Sequence, residues 1–304
     1  MAFQLKANEP VNEGVTRNVR RQLEKALEYL DARSKRSHDG DDAVFEVRKC
    51  FKRVRAALRL VRDDLGDNLY HEENLWFRDA ARPLTEVRDA RILVDTLDKL
   101  RQQAPEAIPP EAFAKIREAL LANLAEVTHR VLEEKKAFAT VKDAAAHALA
   151  RLPAWKLTHN GWPALETGLR RVYRAGHRAL ALATESPTVE NLHEWRKQSK
   201  YLWHQLQLLE TSLPDPEKKL IDQTHELATL LGEDHDLAVL RAMLAADPLS
   251  YGGHRILKDL FGIIDHRRRE FQQQAFTHGR RIYHDPPKAF TSRIEALTSY
   301  APAR

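Results

Sequence analysis

Five cations, Arg48, Lys52, Arg55, Arg59 and Arg62, stand at offsets of 0, 4, 7, 11 and 14 in the segment from Val44 to Arg62. At about 100° and 1.5 Å per residue they fall on one helical stripe about 21 Å long. Val47, Phe51, Val54, Leu58 and Val61 form a second, apolar stripe centred about 100° away, so the cations border the core instead of opposing it. Glu46 is the only acid among them. Like charges one turn apart destabilise an isolated helix by a few tenths of a kcal/mol per pair, so something must offset the repulsion. Arginine offers a planar fork for two oxygens and lysine a movable point charge, which together suit phosphate.

A second segment repeats the arrangement. His193, Arg196, Lys197, Lys200 and His204 share one face, and Leu192, Trp195, Leu202, Leu206 and Leu209 supply the apolar one. The segment before it adds Arg170, Arg171, Arg174, His177 and Arg178, and the first segment of the chain adds Arg17, Arg20 and Arg21. One basic stripe is ordinarily a solvated face. Two related ones with few interleaved acids, while Asp63-Asp64, Glu72-Glu73 and Glu133-Glu134 lie elsewhere, point to an anionic polymer. No GxxxxGK loop is present, and a row of side chains without a backbone cradle suits an extended chain of phosphates better than one nucleotide.

These segments need helices to carry them. Apolar residues recur at helical spacing near 13–35, 42–65, 69–80, 83–100, 111–136, 138–151, 163–184, 188–211, 216–231, 234–245, 252–284 and 287–301. Only 11 of 304 residues are glycine, about half the usual share of roughly 7 %, which favours an all-α chain over glycine-demanding sheets and phosphate loops. Arg48 and Lys52 precede Arg196 and Lys200 by 148 residues, and Arg88-Asp89 precedes His235-Asp236 by 147. This weak repeat predicts a single domain over 1–304 built from two related helical bundles, 1–152 and 153–304, facing each other across a basic central groove. The joint is expected near Pro153 to Pro163.

Composition removes other classes. One cysteine, Cys50, can form neither an internal disulfide nor a thiolate zinc site. The start lacks the apolar run of a secretory signal, and no stretch approaches 18 uncharged apolar residues, so a soluble, cytoplasmic protein is expected. The net charge of +5 is modest, and only its distribution is informative.

At the basic segments the sequence resembles the conserved histidine α-helical domain family, CHAD. Leu192-His-Glu-Trp-Arg-Lys-Gln-Ser-Lys-Tyr-Leu-Trp-His-Gln-Leu resembles its signature helix, Leu231-Gly-Glu-Asp-His-Asp-Leu-Ala-Val-Leu240 the motif that follows, and Leu169-Arg-Arg-Val-Tyr-Arg174 the one before. In the front half, Val47-Arg-Lys49, Lys52-Arg-Val-Arg55 and Val87-Arg-Asp-Ala-Arg91 fit the related patterns. The resemblance covers nearly the whole chain. It implies pseudo-symmetric helical bundles, a central basic channel for inorganic polyphosphate, and no catalytic activity. The polyphosphate-contacting set so implied, together with the basic residues above, is Arg17, Arg20, Arg21, Arg48, Lys49, Lys52, Arg55, Arg59, Arg88, Arg170, Arg171, Arg174, Arg178, His193, Arg196, Lys197 and Lys200, with no cofactor and no metal. Polyphosphate granules are a further implied partner and location, with nucleic acid only a non-specific competitor. Phe45 stands where the first-half histidine is expected, and His204 where tyrosine is common. Relatives often carry a fused triphosphate-processing domain with an ExExK motif, and no Glu-x-Glu pair occurs here.

Two rival functions remain: a nucleic-acid-binding helical protein, since DNA and RNA offer the same phosphates to the basic rows although a recognition-helix pattern and a basic tail are lacking, and a phosphohydrolase. His225 and His235-Asp236 suggest an HD-type phosphohydrolase, but no spaced set of ligands completes it, and His235 is expected at a helix start with Asp236 in its first turn. Trp155, Trp162, Trp195 and Trp203 offer flat surfaces for nucleic-acid bases, although Trp195 falls on an apolar face and Trp76 follows an apolar pattern. His266-Arg267-Arg268-Arg269 reads as an exposed face or a counter-charge for acidic helices.

Overall fold

The structure, a computed structural model, describes residues 3–6, 9–33, 40–103, 109–251 and 253–298. Among these residues the chain is all-α, with no strand. The helices are α1 (Val11–Arg33), α2 (Gly40–Leu60), the single turn α3 (Arg62–Leu65), α4 (Asp67–Ala80), α5 (Thr85–Gln103), α6 (Pro110–Thr128), α7 (Ala137–Arg151), α8 (Pro163–Glu185), α9 (Val189–Leu209), α10 (Asp215–Ala246), α11 (His254–Ile282) and α12 (Pro287–Leu297). The expected ends at 34–35 and 299–301, and Gly252, lie outside the described residues.

Local chemistry sets the boundaries. Pro110, Pro163 and Pro287 open α6, α8 and α12, where a missing N–H costs little. Thr188 caps α9, its hydroxyl accepting the Asn191 backbone N–H at 3.2 Å. A π-helical turn at His129–Glu134 prolongs α6, and Lys136, with φ 50°, turns the chain into α7.

Two helix boundaries differ from expectation. The helix expected over 42–65 stops at Leu60, because Val61 leaves helical geometry (φ −103°, ψ 15°). The helices expected at 216–231 and 234–245 are one, α10, and so His235 and Asp236 are not at a helix start. Gly232 costs the helix about 1 kcal/mol relative to alanine without ending it. A Cβ there would meet Arg196 Nε at 3.6 Å, an ordinary contact, so the guanidinium lies directly against this turn of α10.

The apolar stripes bury as their spacing predicts. Val47, Phe51, Val54, Leu58 and Val61 are at most 1 % exposed, as are Trp195, Leu202, Leu206 and Leu209. Each such side chain contributes about 1.5–3 kcal/mol of transfer free energy. Trp195 stacks on Phe276 at 5.4 Å, and Trp155 and Trp162 are also core residues. Trp76 departs from its expected burial: it is 38 % exposed, under the Arg151 guanidinium. α2 packs on α1, α4 and α5 and also on α8 and α9, while α10 packs on α5, α9 and α11. No helix among the described residues is long and apolar enough to cross a membrane.

Candidate functional site

Because α2 and α5 border α9 and α10, their core-flanking cations meet. A cavity of about 870 Å³ is lined by Arg48 and Lys52 of α2, Arg88 of α5, Arg196 and Lys200 of α9, and Asp236 of α10. A second cavity of about 520 Å³ shares Arg48 and Lys52 and adds Arg55, Arg78 and Arg82.

Hydrogen bonds hold some of these cations in place and leave others open. Arg48 Nη1 donates to the Ala81 carbonyl at 3.0 Å and to Thr85 Oγ1 at 2.7 Å. Arg88 Nη1 donates to Asp89 at 3.0 Å, and its Nη2 lies 4.0 Å from Asp236. Arg48 Nε and Arg196 Nε are buried and have no hydrogen-bond partner among the described residues. Lys52 and Lys200 form no ion pair among the described residues. Buried donors without acceptors are costly in a folded chain, and an anion with several oxygens would satisfy them.

The electrostatics record the same crowding. Burial, then Lys200, Arg88, Arg48 and Arg196, pushes the Lys52 ammonium well below its ordinary pKa. Burial, Arg196 and Arg88 bring Lys200 down to about 7 against the pull of Asp236. Burial raises Asp236, opposed by Arg88, Arg196 and Lys200. Between pH 7 and the unfolded value near 10.4 the unfolded chain holds more protons at Lys200, so this group makes stability rise with pH there, and its penalty is full below pH 7. Lys200→Met is therefore expected to raise the Tm of the free protein by several degrees at pH 6.5, on the order of 2 kcal/mol. The gain should shrink toward pH 10; a Tm unchanged or lowered at pH 6.5 in calorimetry would contradict this account.

The remaining candidate residues divide by position. Lys49 lines the larger cavity while paired with Glu46 at 3.0 Å. Arg55 lines the smaller one, and both Arg55 and Arg59 hydrogen-bond Asn74, Arg59 also lying 4.0 Å over the Tyr201 ring. His193 faces His235, Nδ1 to Nδ1 3.4 Å, and neither lines a cavity. Burial followed by Arg196 lowers both histidine pKa values, His235 to about 4, so neither is charged near neutrality. Arg17 pairs with Glu9, Arg170 with Glu166, Arg171 with Asp63 and Lys197 with Glu194. Arg20, Arg174 and Arg178 are exposed, Arg21 is partly exposed, and none of these eight residues lines either cavity.

Some site residues were not legible as such. Asp236 follows Gly232 by four residues, and only a continuous α10 puts both against Arg196. Arg78 and Arg82 come from the end of α4 and the turn after it, outside any basic stripe. His225 stacks on Trp203 at 4.1 Å and lies apart from the His193–His235 pair. Among the described residues no three His, Cys, Asp or Glu side chains are gathered to hold a metal. Arg268, from the late basic cluster, pairs with the buried Asp234 at 3.0 Å.

An all-helical chain whose helices gather cations from distant segments around one cavity defines the class of protein. The CHAD domain family model matches residues 19–245, and the chain belongs to that family. Among solved structures it is similar to the crystal structure of the CHAD domain from the plant Ricinus communis, at 14 % identity and a TM-score of 0.55, over 98 % of this chain and 96 % of that one. A search of the curated proteins finds no match.

Proposed function

We propose that the chain binds inorganic polyphosphate in the larger cavity, without covalent chemistry, through Arg48, Lys52, Arg88, Arg196 and Lys200. One observation carries this reading: five cations from residues far apart in sequence share a cavity, where burial and neighbouring cations lower the pKa of both lysines and Asp236 offsets this only at Lys200. Membership of the CHAD family and the two buried, unpartnered Nε atoms support it. The pairs 148 residues apart, Arg48 and Lys52 with Arg196 and Lys200, meet in the same cavity, which supports two related halves at 1–152 and 153–304. A cytoplasmic location, with recruitment to polyphosphate granules, fits the same reading.

Calorimetric titration with polyphosphates of defined length across a salt series tests it. Five neutralised phosphates release counterions, and by analogy with nucleic acids the logarithmic slope should be about −4, a loss of roughly two orders of magnitude between 50 and 200 mM salt. A flat salt dependence would remove the charge-based reading. Inorganic polyphosphate should also displace an oligonucleotide at fixed salt, and incubation with divalent metal should release no phosphate.

Binding should also take up protons. A polyanion restores the charged form of Lys200, whose free pKa is about 7, and of Lys52. For Lys200 this predicts an affinity that falls between pH 7 and 9 by up to about tenfold per unit. Internal phosphates stay ionised throughout this range. Titrations at pH 8 in buffers of different ionisation heat would show the uptake, and identical heats in all of them would refute it.

A further inference from the structure

The larger cavity has a second wall that phosphate alone does not use. His204, Trp203 and His225 form a stack of three rings, with centroids 4.4 Å and 4.1 Å apart, and all three line the cavity. The stack runs from buried His204 through partly buried Trp203 to exposed His225. His204 is bonded to Gln207 at 3.0 Å, and burial holds its pKa down to about 3, so the inner ring is uncharged. Phe45, 55 % exposed, and Ile92 extend the apolar lining. A polyphosphate presents only oxygens and gains nothing from such a surface, whereas a flat heteroaromatic ring gains by adding to a stack. Trp203 stands three residues after Lys200 on α9, about one helical turn from the cations, so one ligand can reach both.

We propose that the cavity takes a purine nucleoside 5′-polyphosphate, its base laid on the exposed end of the ring stack at His225 and its phosphates held by Lys200, Lys52 and Arg196. The proposal rests on the polyphosphate reading of the same cavity and adds the base as the group that the aromatic wall selects.

The test compares adenosine 5′-tetraphosphate with inorganic tetraphosphate by calorimetry, in the wild-type chain and in His225→Ala. The capped ligand carries one charge fewer, so charge alone would favour the inorganic one. The expected result is about tenfold tighter binding of the capped ligand, within the range of one stacked base. It should be accompanied by a tryptophan fluorescence change that is lost in Trp203→Phe. His225→Ala, at an exposed position, should close the gap to within about twofold and leave inorganic tetraphosphate unaffected. Equal affinities in the wild-type chain, or a gap that survives His225→Ala, overturn the proposal and leave the polyphosphate reading standing. If neither ligand binds while the chain remains helical, both readings fall together.

Discussion

Lys52→Glu combined with Lys200→Glu is expected to weaken polyphosphate binding at least a thousandfold while the chain stays folded. Truncating one member of a buried charge contact costs about 2–5 kcal/mol, and reversal adds repulsion of the ligand. The two sites are one from each half of the chain, so the double variant tests convergence as well as charge. Folding should survive because each new carboxylate would sit near Arg88 and Arg196, whose charges now depress both lysines. The free variant is expected to melt no lower than wild type, an outcome that charge reversal rarely gives. Calorimetry measures the affinity and circular dichroism the helix content. Retained affinity in a folded variant would remove the cavity from the function. The same reversals at Arg174 and Arg178, exposed and outside both cavities, should change affinity for a short polyphosphate by less than about threefold.

Gly168→Ala should be the most damaging single methyl in the molecule. Gly168 lies in α8 where it crosses the end of α2. A Cβ there would stand 2.6 Å from the Arg59 carbonyl oxygen and closer still to that of Leu60. Both obstacles are backbone, so no side chain can turn aside and one helix must move. Overpacking of this kind costs about 1–3 kcal/mol when a core can adjust and more when it cannot. A loss of at least 3 kcal/mol is expected, on the order of 10 °C in Tm. Moving the end of α2 also shifts the helix that carries Lys52 and Arg48, so affinity should fall with stability. Gly262→Ala is the contrast, since nothing lies within 4 Å of its added Cβ in the middle of α11. That change should stabilise the chain by up to about 1 kcal/mol through helix propensity alone. Thermal melts that place the two variants on the same side of wild type would contradict this account of the crossing.

Periodicity alone determined the all-α class, the buried stripes of α2 and α9, and the two cation rows beside them. An amphipathic helix must turn its apolar side inward, and that fixes where Val47, Trp195 and their neighbours go. Arg48, Lys52, Arg196 and Lys200 were legible for the same reason, because a cation bordering the core is carried to whatever the core faces. Tertiary structure decided the rest. Charge and spacing gave Arg17, Arg170, Arg171 and Lys197 the same appearance as the cavity cations, yet each is paired with a carboxylate brought to it by the fold or by its own helix. Asp236 lines the cavity on an α10 that continues through Gly232, although glycine disfavours a helix interior by about 1 kcal/mol relative to alanine. The His204–Trp203–His225 stack needs two helices at a fixed separation, which no single segment encodes. Helical spacing states which side chains share a face, and only packing states which faces meet.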